Sequence, residues 1–281
     1  MRTTVQERFG QKVWRWLVWA AMAFFVVNVA LMIAMVLLSS FGTNWFTGWV
    51  PQDYTARWYA AAWEEFQLRY VLLVTVQITL LVVALSLAVG VPAAYALARL
   101  DFRGKHLVTL CFLVPLMVPP MTYGIPLATV LYQVGLGGTM WGVVLANLVP
   151  SVPFVVLVMT PFIEQIDPRL EAAARVFGAS PMTTFLRILV PLLMPGILAA
   201  GILVLIRTIS MFELTFLTAG PDSQTLIVAL YYSIFAAGVR AQQSIDAMAV
   251  VYMVTTMTGL LIALRFVDPS QLVGRVKSQK V

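Results

Sequence analysis

Six long apolar stretches restrict this chain more than any other feature. They cover residues 16–38, 70–98, 107–131, 140–162, 192–211 and 245–266, and few charged residues fall inside them. About 20 apolar residues cross a bilayer as an α-helix. In hydrocarbon such a helix satisfies its own backbone hydrogen bonds. With 61% of its 281 residues hydrophobic and only 11% charged, the chain has far more apolar surface than a soluble domain needs. The expected fold class is therefore all-α: a polytopic membrane protein with six transmembrane helices.

Basic residues set the expected orientation. Arg2, Arg8, Lys12 and Arg15 precede the first stretch; Arg99, Arg103 and Lys105 follow the second. Arg169, Arg175 and Arg187 lie between the fourth and fifth, and Arg265, Arg275, Lys277 and Lys280 sit at or beyond the end of the sixth. These fourteen of the 18 Lys and Arg residues fall on one side of a six-span arrangement. The opposite loops hold Arg57, Arg69 and Arg240 with Asp53, Glu64, Glu65 and Asp222. The positive-inside rule then puts both termini in the cytoplasm. It also accounts for the net charge of +6, so nucleic acid is not an expected partner, whereas membrane lipid is. The first stretch is too long for a cleaved signal core and reads as a retained span. Cys111 is the only cysteine, so no intrachain disulfide exists, and a metal site at the lone His106 is improbable.

Between the fourth and fifth stretches lies an element of another kind. Asp167 is suited to cap a helix and Pro168 to begin one. Leu170, Ala173, Ala174 and Phe177 recur at helical spacing, giving one apolar face. Gly178 can end the helix in a left-handed conformation. Ser180 and Pro181 repeat the start signal, and Pro191 and Pro195 mark entry into the next stretch. The pattern predicts two short helices meeting at a bend. Local signals leave two readings open: an ordinary helical hairpin loop, or a rigid handle that another protein grips.

The run from Glu171 to Pro191 resembles the EAA loop of type I permease subunits of ATP-binding-cassette importers. A Glu-Ala-Ala triplet is followed by Gly178, and Pro191 stands thirteen residues after that glycine. Where the family has a glutamate six residues before the glycine, this chain has Ala172, and Glu171 sits one residue earlier. The resemblance implies a permease domain over residues 70–266 with a cytoplasmic coupling loop at 164–190. Residues 1–69 add a cytoplasmic N-terminus, a first span and an outer interfacial helix, and 267–281 form a cytoplasmic tail. The implied ATPase-coupling residues are Glu171, Ala173, Ala174, Phe177, Gly178, Ala179 and Pro191. The implied partners are a second permease, homologous or identical, two ATP-binding subunits and an extracytoplasmic solute-binding protein. The implied location is the bacterial inner membrane. The chain itself has no phosphate-cradling Gly-x-x-x-x-Gly-Lys-Ser/Thr loop: Gly104-Lys105 is followed by His106 and lacks the upstream glycine. No cofactor is expected in it; ATP and Mg would be held by the ATPase subunits, and no catalytic residue is assigned.

Other segments bear on the pathway. Residues 56–68 place Trp58, Tyr59, Ala62, Trp63 and Phe66 on one helical face, as an interfacial helix with its aromatic side toward lipid. Pro115, Pro119, Pro120, Pro126, Pro150, Pro153 and Pro161 crowd the third and fourth stretches. They fit helices that part around a pathway or plain static kinks. Arg207 lies deep in the fifth stretch, and Glu213 near its end. Arg207 either faces the translocation path or pairs structurally; Glu213 either joins it or is interfacial. Phe212 and Glu213 open a Phe-Glu-Leu…Gly-Pro…Gln-Thr-Leu run that is similar to permeases of polyamine and ferric-iron importers, and a polyamine-like solute is favoured on that likeness. The path set is thus Arg207, Phe212 and Glu213. Residues 227–237 are apolar but too short to span. The alternative is an ion-coupled secondary carrier without an ATPase, which would need several ionisable groups in its spans.

Overall fold

The computed structural model describes residues 3–43, 50–235 and 240–266. The chain divides into two compact units, one of Met1–Glu65 with Ala237–Val251, the other of Phe66–Ala236 with Tyr252–Val281. Among the described residues there is no strand, only two isolated bridges, Gly42 to Tyr54 and Gly138 to Ala219.

In the first unit, α1 runs Thr3–Phe41 and α2 runs Arg57–Glu65. Most of the apolar part of α1 is exposed, including Trp14, Trp16, Trp19, Phe24 and Phe25, and only near its end does it bury a residue, Ser40. The short helix expected at 56–68 is present, but two of its aromatics turn back onto α1 rather than outward. Trp58 Nε1 donates to the Gly42 carbonyl at 2.7 Å, and the Tyr59 hydroxyl lies 2.8 Å from Ser40 Oγ. The Tyr59 ring packs 5.0 Å from Phe41. The indole N–H and phenol find protein partners there, which a wholly lipid-facing ring would lack. Trp63 stays exposed.

The second unit is built on α3 (Leu68–Arg99), α6 (Met140–Glu164) and α9 (Val190–Ile209). Their shared core includes Ile78, Val82, Val144, Val155, Met159, Leu193 and Val204. Small residues let these helices close up, as membrane bundles require. A Cβ on Gly90 of α3 would meet Val155 Cγ1 of α6 at 2.6 Å, so only glycine fits that crossing. The buried Asn147 of α6 is satisfied: its Nδ2 donates to the Val143 carbonyl at 2.9 Å and lies 3.3 Å from Thr215 Oγ1.

The third apolar stretch is not one continuous helix. It breaks into α4 (Lys105–Met117) and α5 (Pro120–Gln133), whose axes differ by 101°. Pro119 and Pro120 supply no N–H at the break. A residue before proline is pushed out of the helical region, and Val118 has φ −87° and ψ 135°. Pro92, Pro115, Pro126, Pro150, Pro153 and Pro161 all sit inside continuous helices. The doublet, not proline as such, makes the break. Among the described residues five helices are long and apolar enough to span a membrane, or six if the bent pair counts as one.

The fifth span begins earlier than its hydropathy suggests. α7 (Arg169–Val176) is followed by α8 (Pro181–Thr184), which continues through a π-helical turn at Phe185–Leu189 directly into α9. Val190 N–H bonds five residues back to Phe185. The wide turn makes room for Pro191, whose ring would otherwise crowd the preceding turn. Beyond α9 come α10 (Glu213–Thr218), a 3₁₀ turn at Pro221–Ser223, α11 (Leu226–Phe235) and α12 (Gln242–Phe266). At ten residues α11 is too short to span, as its length predicts.

A clamped handle and a polar cluster at the end of the fifth span

Asp167 Oδ1 accepts from the Arg169 N–H at 2.9 Å and caps α7. The far end of α7 closes with two hydrogen bonds, Ala179 N to the Ala174 carbonyl at 3.0 Å and Gly178 N to the Arg175 carbonyl at 2.9 Å. This pair defines a Schellman ending, and Gly178 takes the φ of +81° that it demands. Ser180 Oγ then accepts from Thr183 N at 3.2 Å and starts α8.

The handle has two dissimilar faces. Glu171 and Ala174 point inward, and Glu171 is only 4% exposed. Its carboxylate accepts from the Tyr95 hydroxyl at 2.7 Å and from Arg99 Nε at 2.9 Å. Arg99 also donates to the Ile166 carbonyl, where the chain leaves α6. Tyr95 meets Phe185 edge-on at 5.2 Å. Arg175 stands 3.9 Å from the same carboxylate but is largely exposed. A buried carboxylate needs partners of this kind, and the C-terminal end of α3 supplies the two that donate hydrogen bonds to it. The other face is bare and apolar: Val176 is 84% and Phe177 89% exposed, beside exposed Ala172 and Ala173. Of the residues singled out in the handle, Ala173, Phe177 and Gly178 lie on the open side, Glu171 and Ala174 on the clamped side, and Ala179 between. Pro191 is exposed and a full π turn away, at the start of α9. Sequence reasoning missed Tyr95 altogether and counted Arg99 only as a topological charge; neither lies near Glu171 in sequence.

Arg207, Phe212 and Glu213 gather where α9 gives way to α10. The Arg207 guanidinium lies 5.4 Å from the centre of the Phe154 ring on α6. Neither Arg207 nor Glu213 has a salt-bridge partner among the described residues. The Tyr123 hydroxyl on α5 is buried, lacks a hydrogen-bond partner among those residues, and lies within electrostatic reach of both charges. Phe212 stacks on Phe216 at 5.1 Å and meets the tilted ring of Tyr231 of α11 at 4.9 Å. The arrangement joins one cation, one carboxylate, an unpaired phenol and a cluster of rings from five helices. Tyr123, Phe154 and Tyr231 carried no sequence signal, because an aromatic in an apolar span is the ordinary case.

A helical membrane bundle carrying a clamped handle and a polar cluster between its helices is the build of a transport permease. The chain belongs to the family described as the binding-protein-dependent transport system inner membrane component, which matches residues 86–272. Its relatives include the molybdate/tungstate transport system permease protein WtpB of Pyrococcus abyssi, 32% identical over 69% of this chain and 74% of that protein. The spermidine/putrescine transport system permease protein PotC of Escherichia coli is 26% identical over 86% of this chain and 85% of that protein. Among solved structures, a bacterial ABC transporter involved in import of the acidic polysaccharide alginate superposes with a TM-score of 0.76 at 17% identity, covering 90% of this chain and 96% of that one. The likeness of fold is therefore greater than the likeness of sequence. The chain is the permease component of an ABC importer, a multi-pass inner-membrane transport subunit.

Proposed function

We propose that this permease works with a second permease subunit, two ATP-binding subunits and an extracytoplasmic solute-binding protein, with its handle and both termini in the cytoplasm. The observation that carries the proposal is the asymmetry of the handle. Its back is clamped to α3 by Glu171, and its front exposes Val176 and Phe177. Exposed apolar patches on a rigid support mark protein interfaces. The basic residues clustered on the handle side support the orientation. ATP and Mg belong to the ATP-binding subunits, and the permease answers their closure by rigid-body rocking. Phe177→Glu places a charge on the open face without touching the clamp. It should abolish co-purification of the ATP-binding subunit while leaving the permease in the membrane; unchanged co-purification would refute the docking role.

We favour a polyamine-like solute. Glu213 has no ion-pair partner among the described residues, and the Phe212, Phe216 and Tyr231 rings beside it suit an ammonium group. The match to PotC over most of the chain supports the same choice. One observation favours an oxyanion instead: Arg207 also lacks an ion-pair partner among the described residues, and a relative is named for molybdate and tungstate. Mass spectrometry of the ligand released by the partner binding protein separates the two. A polyamine supports the first assignment, and a tetrahedral oxyanion replaces it with the second.

A further inference from the structure

The two ends of α3 are each tied by side-chain hydrogen bonds to a different part of the second unit. At its C-terminal end, Tyr95 and Arg99 hold the carboxylate of Glu171 on the handle. At its N-terminal end, the Tyr70 hydroxyl donates to the Asp222 carbonyl at 2.9 Å, and Thr75 Oγ1 accepts from Leu226 N at 2.9 Å. The segment they grip joins α10 to α11. Its neighbour Ser223 donates onward to the Gly138 carbonyl at 3.0 Å, which fastens the α5–α6 link to the same point. Glu213, Phe216 and Tyr231 stand on the two helices that this segment connects.

The 32 residues of α3 span about 48 Å. A load on the handle has two routes into the bundle. One follows the chain, through the 165–168 link into α6 and through the π turn into α9. The other crosses the Glu171 clamp into α3. The chain route passes through non-helical backbone at one end and a widened turn at the other. The clamp is a buried, charge-assisted contact to a continuous helix. It joins the handle to α3 without passing through either of those segments.

We propose that α3 carries handle movement across the bundle to the α10–α11 segment, and that Tyr95 and Arg99 at one end and Tyr70 at the other are positioning residues for coupling. The proposal rests on the reading of the handle as the docking point of the ATP-binding subunit. It assigns work to three residues that lie outside both the open face of the handle and the Arg207, Phe212 and Glu213 set. It also makes Glu171 a transmitter on the clamped face rather than a docking residue on the open one.

The test uses the assembled complex of permease, ATP-binding subunits and solute-loaded binding protein in lipid nanodiscs. Basal hydrolysis, hydrolysis stimulated by the binding protein, and retention of the ATP-binding subunit are read together. Arg99→Ala, Tyr95→Phe and Tyr70→Phe should retain the ATP-binding subunit and keep basal hydrolysis within about twofold, while stimulation falls by about tenfold. The exchanged pair Arg99→Glu with Glu171→Arg should recover part of the stimulation. If both ends serve one line of transmission, Arg99→Ala combined with Tyr70→Phe should be no worse than the more severe single variant.

Full stimulation in Arg99→Ala and Tyr95→Phe would overturn the proposal. So would losses that simply multiply in the double variant, since each end would then act locally. Loss of the ATP-binding subunit from Arg99→Ala, unrecovered by the exchanged pair, would reduce the clamp to a scaffold for the handle and also overturn it. A wild-type permease that retains no ATP-binding subunit would instead remove the docking reading on which the proposal stands, a result visible before any variant is made.

Discussion

Gly178 shows how much one backbone torsion can decide. Its φ of +81° closes α7 and turns the chain toward α8, and an added Cβ there would meet nothing within 4 Å. Any effect of substitution is therefore conformational strain rather than collision. A left-handed conformation costs an L-residue about 1–2 kcal/mol, and more for a β-branched one. Gly178→Ala should leave the handle folded, with slightly weakened binding of the ATP-binding subunit. Gly178→Val should splay α7 from α8 and reduce that binding by about tenfold or more, measured by titration in detergent. Equal binding by all three forms would show that the turn does not shape the docking face. The glycine, the Asp167 and Ser180 caps and the bend were legible in sequence because each is a local rule about a few torsions. The fate of Glu171 was not. Its partners Tyr95 and Arg99 lie 76 and 72 residues away, and only tertiary packing brings them to it. Arg207 sits between these cases. Its place in an apolar stretch marked it, but its neighbour Phe154 on α6 was invisible to any local pattern.

Among the elements, hydropathy located the spans better than it described them. The first, second, fourth, fifth and sixth stretches each correspond to a long helix. The third was legible in length and apolarity, yet it breaks, because hydropathy weighs a proline by its side chain and ignores the missing N–H. The break makes a measurable prediction. With a bend of 101° between helices of 13 and 14 residues, labels at Lys105 and Gln133 should lie about 25 Å apart; a straight helix would separate them by about 40 Å. Pulsed electron resonance on spin-labelled protein should give the shorter distance, and Pro119→Ala with Pro120→Ala should lengthen it. A long distance in the unsubstituted chain would contradict the bent pair. Orientation calls for a second measurement. In a Cys111→Ser background, single cysteines at the exposed positions Gln52, Gln133 and Asp222 should react with an impermeant thiol reagent applied to whole cells. Cysteines at Arg103 and Gln165 should not. The reverse pattern would place the handle on the wrong side for an ATP-driven motor.

For the whole molecule, the claim is that a membrane bundle with no phosphate-binding loop is powered from outside itself. A polytopic membrane protein was legible from apolar length and charge distribution, and the permease class from the resemblance of the Glu171–Pro191 run to the EAA loop. The assembly entered only through that resemblance, because a partner's surface leaves no periodicity in the sequence that receives it. Linkage gives the claim its content. A solute-loaded binding protein can accelerate hydrolysis elsewhere only if both events favour the same conformer of the permease. The most direct test is solute uptake into sealed vesicles holding the reconstituted importer, with ATP supplied on the side of the ATP-binding subunits and proton and sodium gradients applied or collapsed independently. Uptake should require ATP, follow its hydrolysis and persist when both gradients are abolished. Uptake that tracks a gradient and ignores ATP would contradict the account.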